Sequence, residues 1–243
     1  TVNIHAVSGN KIYLLTSQGQ LYVYQIADPS SPLYVSHIEI GTGNYYSSYF
    51  CRSEDYLIVG IANHEKQIRI FDASSDEQIT EKSSMTEPGE VSSLVYHNNK
   101  LVVSDNTGLW VYNSGNSSNP VLLNHDTQVT GLKSLKTGGD FLWGMIDIDW
   151  GAADMGIYGF TVGADGTITA SLSYLFDSGL SLFSYLVSGN HIFVYVLLDN
   201  SGTGSLVSLE ISGSTITKKD ELNLTGEIYD MAVNGNDLFL AYA

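Results

Sequence analysis

Short apolar runs, each closed by a tight polar turn, recur along the whole chain. The turns read Ser8–Lys11 (SGNK), Ser53–Asp55 (SED), His97–Lys100 (HNNK), Thr137–Asp140 (TGGD), Ser188–His191 (SGNH) and Asn234–Asp237 (NGND). Taking Asn10, Glu54, Asn99, Gly139, Asn190 and Asn236 as markers, the intervals are 44, 45, 40, 51 and 46 residues. A fixed period of this size is the mark of a repeat architecture. Gly and Asn supply the positive φ of a two-residue hairpin turn, and the flanking β-branched and aromatic residues favour strands. Each turn therefore joins an antiparallel pair, such as SSLVYH to KLVVSD or SLFSYLV to HIFVYVL. A third run follows (LYVYQI, QIRIFD, LWVYN, IYGFTV, LVSLEI) and then a fourth (LYVSHIEI, EQITEKS, PVLLNH, ITASLSYL, TITKKDEL).

Four strands in about 45 residues, with no helical periodicity, predict an all-β fold: a β-propeller of four-stranded antiparallel blades. The second run of each repeat is nearly continuous in apolar residues, as for a strand buried on both faces, whereas the fourth alternates and carries charge, as at an outer edge. A sandwich or barrel would give strands at similar spacing but no reason for the period. The expected organisation is one domain over 1–243, with blades near 3–40, 45–85, 90–126, 130–176 and 181–224, and a partial one at 227–243. About 22 strands is two short of a six-bladed ring. Three explanations stand: further chain beyond Ala243, a partner that donates strands to the incomplete last blade, or a five-bladed ring with an extra hairpin.

Blade 1, GNKIYLLTSQGQLYVYQIADPSSPLYVSHIEI, resembles the LVIVD-type propeller repeat, whose pattern runs from a Gly-Asn turn through an apolar strand and a Gly-x-Leu-x-Val-Tyr segment to an Asp-Pro-x-x-Pro loop. Blade 3 is similar, with Gly108, Leu109, Val111 and Tyr112 matching and Pro120 standing for the second proline. Repeats 2, 4 and 5 keep the period without the prolines. The resemblance implies a propeller that is secreted or attached to a surface.

Charge narrows the partners. Ten Lys+Arg against 26 Asp+Glu give −16, which argues against nucleic acid or an anionic membrane, because phosphate binding rests on clustered cations. No apolar run approaches the length of a membrane span. Cys51 is the only cysteine, so neither an intramolecular disulfide nor a Cys-based metal site is expected, and a buried strand position suits it. Sparse lysine, many Ser, Thr and Asn, and two sequons, at Asn116 and Asn223, lean toward an extracellular or cell-surface protein. The start at Thr1 without Met is what a processed or truncated product would show.

Candidate chemistry is thin. Asp147, Asp149 and Asp154 form the densest acidic group, in a loop where calcium could be shared, although the EF-hand template fails at Gly151 and Tyr158. The stretch Ser104–Trp110 is similar to the Asp-box of sialidase propellers, with Asp105 and Trp110 each one position early; two arginines are too few for that enzyme class. Arg69 in QIRIF reads as a solvent-facing cation, and Arg52 as a partner of Glu54 or Asp55. Tyr13, Tyr112 and Tyr158 read as fillers between blades. Tyr45 and Tyr46 stand in a loop entering the first strand of blade 2, where an aromatic, hydroxyl-rich rim would suit carbohydrate or protein. Two function classes follow: a non-enzymatic interaction or structural module that binds a protein, a glycan or its own assembly, or a propeller-type hydrolase or lyase with an acidic, cation-dependent site.

Overall fold

The computed structural model describes residues 2–8, 10–41, 48–53, 55–61, 67–75, 78–86, 89–115, 119–146, 155–177, 180–198, 203–226 and 228–242. Among these every regular element is a strand, 22 in all. Five four-stranded sheets follow one another in chain order, each a meander with its strands side by side. Sheet 1 holds β1 (Val2–Ser8), β2 (Lys11–Thr16), β3 (Gln20–Gln25) and β4 (Leu33–Glu39); sheet 2 holds β5 (Ser48–Ser53), β6 (Tyr56–Ile61), β7 (Ile68–Asp72) and β8 (Thr80–Met85). Sheet 3 comprises β9 (Ser93–His97), β10 (Lys100–Ser104), β11 (Leu109–Asn113) and β12 (Val121–Asp126). Sheet 4 comprises β13 (Leu132–Gly138), β14 (Phe141–Ile146), β15 (Gly156–Val162) and β16 (Ile168–Leu175), and sheet 5 β17 (Leu180–Ser188), β18 (His191–Leu198), β19 (Thr203–Ser212) and β20 (Thr215–Thr225). A final hairpin, β21 (Ile228–Asn234) and β22 (Asp237–Tyr242), stands as a two-stranded sheet. The fold is all-β and propeller-like, as the period implies.

The predicted turns are the observed ones. The first hairpin of each sheet closes on a two-residue loop, with Ser8 opposite Lys11, Ser53 opposite Tyr56, His97 opposite Lys100, Gly138 opposite Phe141, Ser188 opposite His191, and Asn234 opposite Asp237. Asn98 and Asn99 take φ of 48° and 59° there, the left-handed pair that a type I′ turn requires.

The chain divides into two compact units, Thr1–Thr130 and Gly131–Ala243. In the first unit, β1 packs against β5 and β5 against β9, so successive sheets are joined along their first strands. Strand β6 shows how one sequence serves two neighbours: Leu57, Val59 and Ile61 join Tyr13, Leu15, Leu21 and Val23 of sheet 1, while Ile58 joins Leu94, Leu101 and Val103 of sheet 3. A continuous apolar run thus becomes two buried faces through the period of two. Strand β2 alternates buried and half-buried positions, since sheet 1 has a neighbour on one face only within this unit. In the second unit, Ile192, Val194 and Val196 of β18 face sheet 4, whereas Tyr195 faces the last hairpin, together with Ile228 and Met231. The outermost strands are the polar ones: β20 is exposed along most of its length.

Three of the ten cations are used between sheets 1 and 2. Lys11 Nζ donates to the carbonyls of Ala73 and Ser75, at 3.3 and 2.8 Å. Arg52 Nη1 donates to the Tyr13 hydroxyl at 2.7 Å, with the guanidinium 5.7 Å above that ring. The sequence pattern pointed to Glu54 or Asp55 and gave no sign of this tyrosine; Glu54 lies outside the described residues. Arg69 corrects the solvent-facing expectation outright, being 6% exposed. Its guanidinium forms a two-pronged pair with Glu81, donates to the Ile40 carbonyl of sheet 1, and lies over Phe71. The fork geometry explains the burial, because one planar cation satisfies a carboxylate and a carbonyl together. Glu81→Ala strands this buried cation and should cost about 2 kcal/mol, whereas Glu81→Gln, which keeps acceptor and shape, should cost less; urea unfolding of both variants checks the order. Cys51, in β5, is half-buried against the sheet 2–sheet 3 core, where desolvation pushes its thiol well up, so it is an inert packing residue.

Candidate functional site

The last hairpin presents the first two strands of the repeat. Strand β21 packs on β17, first strand on first strand, so β22 lies along β18 as second strands do elsewhere. In sheets 2, 3 and 5 a third strand pairs with the second and presses its apolar residues onto the preceding sheet: Phe71 on sheet 1, Tyr112 on sheet 2, Val207 and Leu209 on sheet 4. At the last hairpin, among the described residues, the second strand pairs only with β21. The space beside it is a groove of about 540 Å³ bounded by Asn223, Leu224, Ile228, Leu238, Phe239 and Leu240.

Residue parity sets the chemistry of this groove. Leu238 and Leu240 turn toward sheet 5, where Leu206 and Leu224 are only partly buried. Leu222 on β20 and Phe239 on β22 are 57% and 55% exposed. An open strand edge beside uncovered leucines offers main-chain donors and acceptors together with alternate apolar pockets. Asn223, one of the two sequon asparagines, borders the groove; it is exposed, and its Oδ1 accepts from the buried Ser205 hydroxyl at 2.9 Å.

The other sequence-derived candidates fall as follows. Asp147, Asp149, Asp154, Tyr45, Tyr46 and Asn116 all lie outside the described residues. Among the described residues no group of three His, Cys, Asp or Glu side chains is arranged to hold a metal ion. No helix among them is long and apolar enough to cross a membrane. His97 is buried, with Nε2 3.0 Å from the Asn98 amide nitrogen.

Asp105 proves to be an organising residue. Only 1% exposed, its carboxylate accepts from the amides of Gly89, Thr107 and Gly108, from the Thr107 hydroxyl, and from the Trp110 indole at 2.8 Å. The Asp and Trp that look misplaced against the Asp-box are thus bonded to each other. His125 stacks on Trp110 at 3.7 Å and meets the Thr107 hydroxyl through Nε2. Burial pushes the Asp105 carboxyl up, and the donors from Thr107, Gly89 and Trp110 outweigh it, leaving a net lowering. Every oxygen is committed, so this is a turn-building device.

Two further groupings escaped the sequence reading. On the face of sheet 1 turned away from sheet 2, Tyr22, Tyr24, Tyr34 and His37 form an aromatic ladder, with His37 stacked on Tyr22 at 5.4 Å and the Tyr34 hydroxyl 2.8 Å from His37 Nδ1. The signal was the Tyr-x-Tyr spacing of β3, which puts both rings on one face. In the second unit, Lys136 lies over the Tyr185 ring at 5.4 Å, beside a bulge in β13 where Ser134 has φ 53° and its backbone carbonyl accepts a hydrogen bond from the Tyr185 hydroxyl at 2.5 Å. Desolvation pushes the Lys136 amine down while Asp230 pulls it back.

No protein-family model matches the chain, and no curated protein matches it in sequence. Solved structures do. The periplasmic gluconolactonase of Pseudomonas aeruginosa superposes with a TM-score of 0.74 at 14% identity, over 97% of this chain and 76% of that one. A protein from Lactobacillus plantarum gives 0.72 at 12% identity, over 95% and 74%. A functionally unknown protein from Desulfotomaculum acetoxidans gives 0.69 at 12%, over 93% and 71%. At these identities the likeness is one of fold: the chain shares a propeller-like all-β architecture with proteins of unrelated function.

Proposed function

We propose that this chain is a non-enzymatic interaction and structural module, of the extracellular or cell-surface kind, built from LVIVD-like repeats as a six-bladed propeller, and that it takes up a protein partner by strand addition at the edge of β22. The observation that carries this reading is the groove beside β22, an edge without a further strand among the described residues, flanked by Leu224, Leu238 and Leu240. The occupant it suits is an extended segment with apolar residues at alternate positions, the pattern of the chain's own third strands, followed by a strand to cover Leu222. The charge of −16 favours a partner segment carrying lysine or arginine at its outward positions.

The test uses a synthetic peptide copying residues 203–225, the third and fourth strands of sheet 5. Saturable binding should appear with slowed amide exchange along β22. Alternate N-methylation of the peptide backbone, which removes edge hydrogen bonds, and Leu240→Lys in the protein should each weaken binding about tenfold or more, the equivalent of one or two lost hydrogen bonds. Binding that ignores N-methylation, or no binding with β22 amides unprotected, would overturn the proposal.

A further inference from the structure

A second crevice, distinct from the groove beside β22, opens between the end of β16 and sheet 5. About 290 Å³ in volume, it is lined by Tyr174, Phe176, Asp177, Leu180, Val196, Ser205, Val207, Lys218 and Glu221. Its floor is apolar, since Val196 and Val207 are buried core residues of the sheet 4–sheet 5 interface. One wall is aromatic: Tyr174 and Phe176 meet edge to face at 5.0 Å. The rim carries two carboxylates and one ammonium.

We infer that this crevice is a binding site for a small organic cation, an ammonium group borne on an aromatic or branched apolar body. The charge arrangement decides the class. The Lys218 ammonium donates to Glu221, and that bond pulls the Glu221 carboxyl below its usual range and raises the lysine. Lys218 is bonded to Glu221 and also lies in the field of Asp177, so the rim, with two carboxylates against one ammonium, keeps one negative charge in excess on the Asp177 side for a ligand to match. The Ser205 hydroxyl, the floor's polar group, donates to Asn223 Oδ1. An anion entering here would meet Asp177 and Glu221 with Lys218 already engaged, and a neutral polyol would find few uncommitted donors. A cation instead gains Asp177, the faces of Tyr174 and Phe176, and the field of a chain of charge −16. The apolar body fills the Leu180, Val196 and Val207 floor, as small-molecule sites generally do with an apolar lining and few polar anchors.

Benzylamine, benzyl alcohol and benzoate are the probes, three near-isosteres that differ in charge. Ligand-observed NMR titration of the wild-type chain should show benzylamine binding saturably and roughly five- to tenfold tighter than either of the others, the size expected of one partly exposed ion pair with a cation–π contact. Asp177→Asn should remove most of that preference while benzyl alcohol binding stays as it was, and Tyr174→Ala should weaken all three probes. Asp177 is exposed, so its amide variant folds as the parent does, which circular dichroism verifies. Tightest binding by benzoate, equal binding by all three, or a preference for benzylamine that survives Asp177→Asn would each overturn the assignment, as would the absence of any saturable binding. The strand-addition reading is untouched by these outcomes, since it concerns the opposite face of sheet 5.

Discussion

Asp105→Ala should lower the unfolding free energy of the unit that contains it by about 3 kcal/mol, because the buried Gly108 amide and three part-buried donors lose their acceptor at once. The amides of Gly89, Thr107 and Gly108 and the Trp110 indole all point at this carboxylate. The buried Gly108 amide cannot turn to water instead. Gly108 has φ 151° and is packed so closely on β12 that a Cβ would stand 2.0 Å from the Asp126 carbonyl oxygen. Asp105→Asn keeps one acceptor oxygen and should cost less, and comparing the two separates lost geometry from lost charge.

The same carboxylate predicts a pH dependence with a definite sign. Its folded pKa is lowered from 3.8, so the folded state holds the charged form more tightly than the unfolded chain does. The stabilisation is fully present above the unfolded value, near pH 4, and is lost as pH falls through the lowered folded value. The stability difference between wild type and Asp105→Asn, followed by urea unfolding, should be level at neutral pH and shrink below about pH 4. A difference that stays level into acid would mean that the carboxylate is not ionised in the fold.

Trp143→Ala should be the most damaging single change in the second unit, at about 3–5 kcal/mol. The indole is fully buried between sheets 4 and 5, and its Nε1–H reaches the Gly138 carbonyl at 3.2 Å. It lies across Gly159, its direct partner in the β14–β15 pair, where a Cβ would come within 2.8 Å of the ring. Ring and glycine are therefore one packing unit, and the energies should not add. Gly159→Ala should destabilise the wild type, since the indole must move, yet be nearly neutral or favourable in a Trp143→Ala background, where the methyl partly fills the cavity. Urea unfolding of the four proteins gives the coupling directly; strictly additive costs would sink this account of the pair.

Much of the architecture was legible from local chemistry. Asn98–Asn99, Gly139 and Gly189 mark the hairpins because few other residues accept positive φ, and each turn appears where its residues say. The continuous apolar run of β6 announced burial on both faces because alternate residues must then point to two neighbours.

What one dimension could not supply was the pairing of distant residues. Arg69 looked like an exposed strand cation because its partners, Glu81 and the Ile40 carbonyl, lie on another strand and another sheet. Asp105 and Trp110 looked misplaced against a motif, though the turn brings one to the other. The crevice of Tyr174, Asp177, Lys218 and Glu221 joins the end of one sheet to the outer strand of the next, with no signal at either segment. Turn type, strand alternation and period are set by contacts between near neighbours in the chain. The groove, the crevice and the buried ion pair arise only when sheets stack, because stacking sets residues tens of positions apart face to face.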